Sequence, residues 1–197
     1  MNTAIPVPRG IIFDMDGTLT VPVLDFAAMR ARLGIPSGDI LATVRSWTPE
    51  QQTHAYAIID ELEEQGRCDM ALQPGARDLV AWLEGQGIEK AILTRNTVKT
   101  VDHLLQRLPF RFSVVVTRDF EFVKPDPAPV LHICARWVLP PEAVMVVGDY
   151  RDDIVCGRAA GARTCLLRNA KSAQFAELAD EVVDSLGELH ARLRTAS

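Results

Sequence analysis

Two carboxylates, Asp14 and Asp16, stand one residue apart where an apolar run stops, in the stretch GIIFDMDGTLT from Gly10 to Thr20. Residues two apart in a strand share a face, so both acids are expected on one side while Phe13 and Met15 turn into packing. Held that close, two ionised carboxylates repel, and a cation or a shared proton must offset the repulsion. Gly17 permits a sharp exit after them. Taken alone, the pattern D-x-D-G-T also fits a turn whose aspartates cap backbone amides, so the rest of the chain has to decide.

Three other segments bear on it. AILT ends in Thr94, followed by Arg95 and Asn96. A hydroxyl beside a helix N-terminus, with Asn96 as the expected cap, makes a donor site for an anion. EFVKPDP puts Lys124, one of only four lysines, just before a helix that opens with proline. VMVVGDYRDD ends a further apolar run in Asp149, Asp152 and Asp153. The dipole of a following helix accounts for Asp152 in its first turn, but not for a second acidic strand end. Asp14, Asp16, Thr94, Lys124, Asp149 and Asp153 therefore form one candidate set, in which carboxylates outnumber cations. Such a cluster of hard oxygen donors suits Mg²⁺, with a phosphate group completing the shell.

These residues need a scaffold that gathers strand ends. Short apolar runs recur at 10–13, 90–94, 113–117, 143–149 and 163–167, with a weaker one at 180–185. Several lack polar alternation, as strands covered on both faces do. Helical patterns separate them, so an α/β fold with a doubly wound parallel sheet is expected. The rhythm breaks between Thr20 and Gln73, where only helices are read. The first has Asp25 as cap and Gly34 as stop, and the second covers SGDILATVRSW. The third has Thr48 as cap, Pro49 at its first position, Gln51 completing a capping box and Gly66 as its end. The expected organisation is a core domain of residues 1–20 and 74–197, with a helical insertion at 21–73.

Composition narrows the function classes. The chain has 197 residues, 48% of them hydrophobic, and a formal net charge of −5. That charge disfavours a general nucleic-acid binder but admits a phosphorylated small molecule if a metal is present. Four cysteines without C-x-x-C spacing suit a reducing compartment. MNTAIPVPRG lacks a basic start with an apolar signal core, and no run is long enough to span a membrane. A soluble, cytoplasmic protein is the expectation. His54, His132 and the tryptophans at 47, 82 and 137 read as packing or surface residues. Arg45 and Arg67, in the insertion, are candidates to meet a second anionic group.

In their order, DMDGT, LT, the lysine before PDP, and GDYRDD resemble the four motifs of the haloacid dehalogenase superfamily. The resemblance spans nearly the whole chain. The insertion looks like that superfamily's small α-helical cap, and the phosphoglycolate phosphatase-like branch is the nearest in pattern. The resemblance implies a Rossmann-like core and a Mg²⁺-dependent phosphatase acting on a small phosphorylated metabolite. It implies Asp14 as nucleophile, Asp16 as general acid and base, and Lys124 as neutralising cation. Thr94, with Arg95, Asn96 and Lys124, would hold substrate. Asp14, Asp16 (through its backbone carbonyl), Asp149 and Asp153 would serve the metal. A phosphosugar mutase of the β-phosphoglucomutase type and a non-catalytic binding module on the same fold are the alternatives. Asp16 argues against a dehalogenase, and the lack of any lysine before Lys90 argues against a phosphonatase.

Overall fold

The computed structural model describes residues 5–22 and 26–195. Asp25, the expected cap of the first helix, lies outside the described residues. The chain divides into two compact units, one of Met1–Val21 with Ala71–Ser197, the other Pro22–Met70.

The larger unit is built on β1 (Gly10–Phe13), whose four residues are all buried. After the inserted unit come α4 (Ala76–Gly85), β2 (Glu89–Leu93), α5 (Val98–Arg107), β3 (Val114–Val116) and α6 (Ala128–Trp137). Then β4 (Val144–Gly148), α7 (Arg151–Ala159), β5 (Arg163–Leu167), β6 (Glu181–Val183) and α8 (Leu186–Arg194) complete it. The inserted unit holds α1 (Phe26–Leu33), α2 (Ile40–Arg45) and α3 (Pro49–Cys68). Among the described residues no helix is long and apolar enough to cross a membrane.

The sheet has six strands in the order β3-β2-β1-β4-β5-β6, and every pairing is parallel. A parallel sheet with helices on its faces buries its strands on both sides, which is why β1 and β4 read as unbroken apolar runs. The edge strands β3 and β6 are three residues each, short enough to offer little template for further pairing. From β1 the chain builds outward through β2 and β3, then crosses back to place β4 on the other side of β1. Strand order reverses there, and ligands of such sheets bind beyond the carboxyl ends of the strands at that reversal. Ile12, Leu93, Val130, Ile133, Val146 and Cys156 belong to one buried cluster beneath those ends. The chain leaves and re-enters this unit side by side. Val21 donates its N–H to the carbonyl of Ala71 at 2.9 Å, and Gln73 to that of Leu19 at 2.9 Å.

The inserted unit has its own small core of Met29, Ile35, Ile40, Val44, Ala55 and Ile59. Thr48, Pro49 and Gln51 form the expected capping box of α3. Gly66 does not end that helix. It continues to Cys68, and Ala55, Ile59, Glu63, Gly66 and Arg67 form its buried stripe. A glycine on a packed stripe is held helical by what covers it, overriding its weak propensity. Asn96 likewise is not the cap of α5. Thr97 is, its hydroxyl accepting the N–H of Thr100, because the side chain of Asn96 is engaged elsewhere.

Candidate active site

Four strand ends meet at the reversal. Strand β1 stops at Phe13 rather than carrying Asp14 and Asp16 on one extended face. The carbonyl of Met15 accepts N–H bonds from Thr18, Leu19 and Thr20, which folds 14–20 into a tight loop. Phe13 and Met15 are fully buried, as their place behind the acids required. Asp14 stays beside β4, its N–H donating to the carbonyl of Val147 at 2.9 Å. Asp149 follows β4 directly, and Asp153 is one helical turn further on. Lys124 arrives from the loop between β3 and α6, joined to Pro125 by a cis peptide bond.

The Lys124 ammonium donates to Asp14 Oδ1 at 2.5 Å and to Asp153 Oδ1 at 2.6 Å. Asp153 Oδ2 accepts the N–H of Tyr150 at 3.1 Å, so both its oxygens are held. Carboxylate oxygens of Asp14, Asp149 and Asp153 lie within 4.8 Å of one another. Three carboxylates and one ammonium leave two negative charges, which a divalent cation balances. The donors are hard oxygens, and that chemistry fits Mg²⁺. Burial pushes the Asp14 carboxyl up to about 8, with Asp153 and Asp149 adding to the rise and Lys124 opposing it. Burial, then Asp153, pushes Asp149 up to about 6. Burial works against the charge on Lys124, yet Asp14 and Asp153 hold it above the ordinary lysine range.

Asp16 stands apart from this trio. Its carboxylate accepts from Asn96 Nδ2 at 2.8 Å and from the Thr20 hydroxyl at 3.3 Å. The Thr94 hydroxyl oxygen accepts both the backbone N–H and the side-chain amide of Asn96, each at 3.1 Å. Both are donors to it, so the hydroxyl proton remains to be donated outward. Asn96 thus links Thr94 to Asp16. Arg95 is half-buried between them in sequence. In the inserted unit, Arg45 is exposed at the end of α2. Arg67, the other candidate to meet a second anionic group, is buried on α3 and ion-paired to Glu64.

Gly17, expected only to permit a sharp exit, completes the geometry together with Gly148 and Asn169, to which the sequence reading gave no role. A Cβ at Gly17, whose φ is +84°, would lie 2.3 Å from Asp149 Oδ2. A Cβ at Gly148 would lie 2.3 Å from Asp153 Cβ. Both acids reach the site because no side chain stands in the way. Asn169, just past β5, donates to Asp149 Oδ2 at 2.9 Å. Its only signal was a polar residue beyond a strand end, in the same layer as the others.

A doubly wound sheet with a lysine-bridged acidic cluster at its reversal is the architecture of an α/β enzyme. The haloacid dehalogenase-like hydrolase family model matches residues 8–161. The chain is 48% identical over 172 residues to a haloacid dehalogenase-like hydrolase domain-containing protein of Arabidopsis thaliana, covering 81% of this chain and 70% of that one. It is 30% identical over 190 residues to a phosphoglycolate phosphatase of Pseudomonas fluorescens, covering 82% and 70%. The fold is that of a crystallised hydrolase from Pseudomonas syringae, with a TM-score of 0.81 at 24% identity over 95% of this chain and 99% of the other. The chain belongs to the haloacid dehalogenase-like hydrolase family and is a hydrolase.

Proposed function

We propose that the protein is a Mg²⁺-dependent phosphatase that hydrolyses a small phosphate monoester through an aspartyl-phosphate on Asp14. The observation that carries this reading is the Lys124 ammonium, buried between Asp14 and Asp153 with Asp149 alongside. The phosphoglycolate phosphatase relative supports a small phosphorylated metabolite as substrate.

Asp14, Asp149 and Asp153 would hold Mg²⁺, with the Asp16 carbonyl a further oxygen donor; when bound, the ion neutralises charge on the transferring group. An Asp14 carboxylate oxygen forms the new bond to phosphorus as the ester oxygen departs, and Asp16 gives its proton to that oxygen. Water then attacks the aspartyl-phosphate while Asp16 takes a proton from it, returning Asp14 and releasing phosphate. Covalent catalysis replaces one hard displacement by two easier ones. Lys124 offsets the anionic charge at the nucleophile, and the Thr94 hydroxyl and nearby amides donate to the phosphoryl oxygens. Asn96 and Thr20 determine where the Asp16 carboxylate waits. The inserted helical unit, with exposed Arg45, is proposed to discriminate among monoesters, which a site for phosphate and metal alone does not.

Phosphate release from a panel of phosphorylated metabolites and an aryl phosphate, with and without chelator, tests the reading. Activity is expected to vanish in chelator and return with Mg²⁺, while Ca²⁺, with its larger and looser shell, inhibits. Asp14→Asn should yield no acid-stable phosphoenzyme, and Asp16→Asn should slow turnover roughly 10²-fold or more. Full turnover in chelator, or a phosphorylated Asp14→Asn protein, overturns the mechanism.

A further inference from the structure

Past β5 the chain turns through Asn169 to Ser172, outside every segment to which the proposed chemistry assigns a role. The side-chain oxygen of Asn169 accepts the N–H groups of Lys171 at 2.8 Å and Ser172 at 3.0 Å. The Ser172 hydroxyl accepts the Asn169 N–H at 2.9 Å, and Ser172 is fully buried, so the turn is anchored. Two backbone donors on one end of the amide identify that end as the oxygen. The NH₂ must then face the other way, and there it meets Asp149 Oδ2 at 2.9 Å. The backbone at Gly17 also lies against this carboxylate, so close that a Cβ would lie 2.3 Å from Oδ2 and 2.7 Å from Oδ1. Asp149 is therefore held by an amide donor and packed against a bare stretch of main chain. One oxygen of the carboxylate so held lies within 4.8 Å of carboxylate oxygens of Asp14 and Asp153. A lysine or arginine at 169 would hold the carboxylate as firmly, but its charge would compete with a cation. A neutral amide orients without neutralising.

We propose that Asn169 is a positioning residue for the divalent-cation site, locking the Asp149 carboxylate so that one oxygen is presented to the ion. This rests on the reading of Asp14, Asp149 and Asp153 as that site. Groups that orient a metal's ligands are worth roughly 10- to 100-fold in metal affinity, and that is the effect expected here.

Titration calorimetry of the full-length, metal-stripped protein with MgCl₂ reads it directly, alongside the apparent KM for Mg²⁺. Two substitutions separate orientation from support of the turn. Asn169→Ala removes both the turn's acceptor and the donor to Asp149. Asn169→Asp keeps the acceptor, so the turn survives, but replaces the donor with an anion. Both variants are expected to bind Mg²⁺ roughly 10- to 100-fold more weakly, with thermal stability of the Asp variant close to that of the parent. The Asp variant loses affinity despite adding a negative charge nearby. Affinity unchanged in Asn169→Ala, or as tight as the parent's in Asn169→Asp, overturns the proposal while leaving the cation site standing. Failure of the parent protein itself to bind Mg²⁺ overturns the reading of the site and this inference with it.

Discussion

Burial works against the charge on Asp14 and Asp149, and in the metal-free protein nothing fully compensates it. A carboxyl whose pKa rises on folding binds its proton more tightly in the folded chain. Its stabilising contribution is complete below the unfolded value near 3.8 and is lost as pH rises through the folded value, about 6 for Asp149 and about 8 for Asp14. In chelator, the protein should therefore lose stability between about pH 4 and pH 8 from these two groups. Asp149→Asn removes one of them and still offers an oxygen to the Asn169 amide. Its melting temperature in chelator should exceed the parent's at pH 7.5 and match it at pH 4. A rise of two pKa units bounds the gain at about 3 kcal/mol, or roughly 2–4 °C per kcal/mol for a chain of this size. A scan across pH checks this; a gain at pH 4 as large as that at pH 7.5 would contradict it. With saturating Mg²⁺ the ranking should invert, because the parent then gains binding energy that the variant lacks.

At the scale of elements, close approach of backbones does as much as side-chain packing. Gly75 precedes α4 with φ +84°, and a Cβ there would stand 2.7 Å from the backbone nitrogen of Gly187 in α8. Trp82 of α4 meets His190 of α8 with ring centroids 5.3 Å apart. Gly75→Ala forces both a left-handed alanine and a backbone clash, so α4 and α8 must separate. A loss of roughly 1–3 kcal/mol is expected from the strain and overpacking, read as a lower urea midpoint. The remaining folded enzyme should keep its Mg²⁺ affinity, since neither helix contributes a carboxylate to the acidic cluster. An unchanged midpoint would mean that the helices part at no cost. The same logic explains two departures from expectation, Thr97 rather than Asn96 capping α5 and α3 running through Gly66. In each case a contact made by the assembled unit overrides what neighbouring residues prefer.

Among the described residues, each of the two units buries apolar side chains of its own. A unit of about fifty residues buries a smaller fraction of its surface and is marginal by itself, so the helical unit should open first. Ile59, 2% exposed at the centre of its core, is the place to test this. Ile59→Ala should cost about 2–5 kcal/mol within that unit. Hydrogen exchange should then accelerate along Pro49–Cys68 while the amides of β1 and β4 keep their protection. Uniform acceleration across both units would show that they unfold together. If the helical unit discriminates among monoesters as proposed, the same variant should lose kcat/KM for the preferred metabolite more than for a small aryl phosphate.

Much of this architecture was legible before any coordinates. Unbroken apolar runs marked strands covered on both faces, Thr48 with Pro49 and Gln51 marked the start of α3, and Asp14, Thr94 and Asp149 marked three strand ends, whereas Lys124 stands in the loop before α6, eight residues past β3. Those signals are local, because strand periodicity, caps and turns are decided within a few residues. What the residues do to one another was decided only by the tertiary structure. Lys124 donates to Asp14 across 110 positions of sequence, and it does so because strand order places β1 between β2 and β4. The same assembly turned Asp16 toward Asn96 instead of the acidic trio and brought Asn169 against Asp149. None of these follows from local preference, since each depends on which parallel strands become neighbours, and that is selected by packing of the whole sheet.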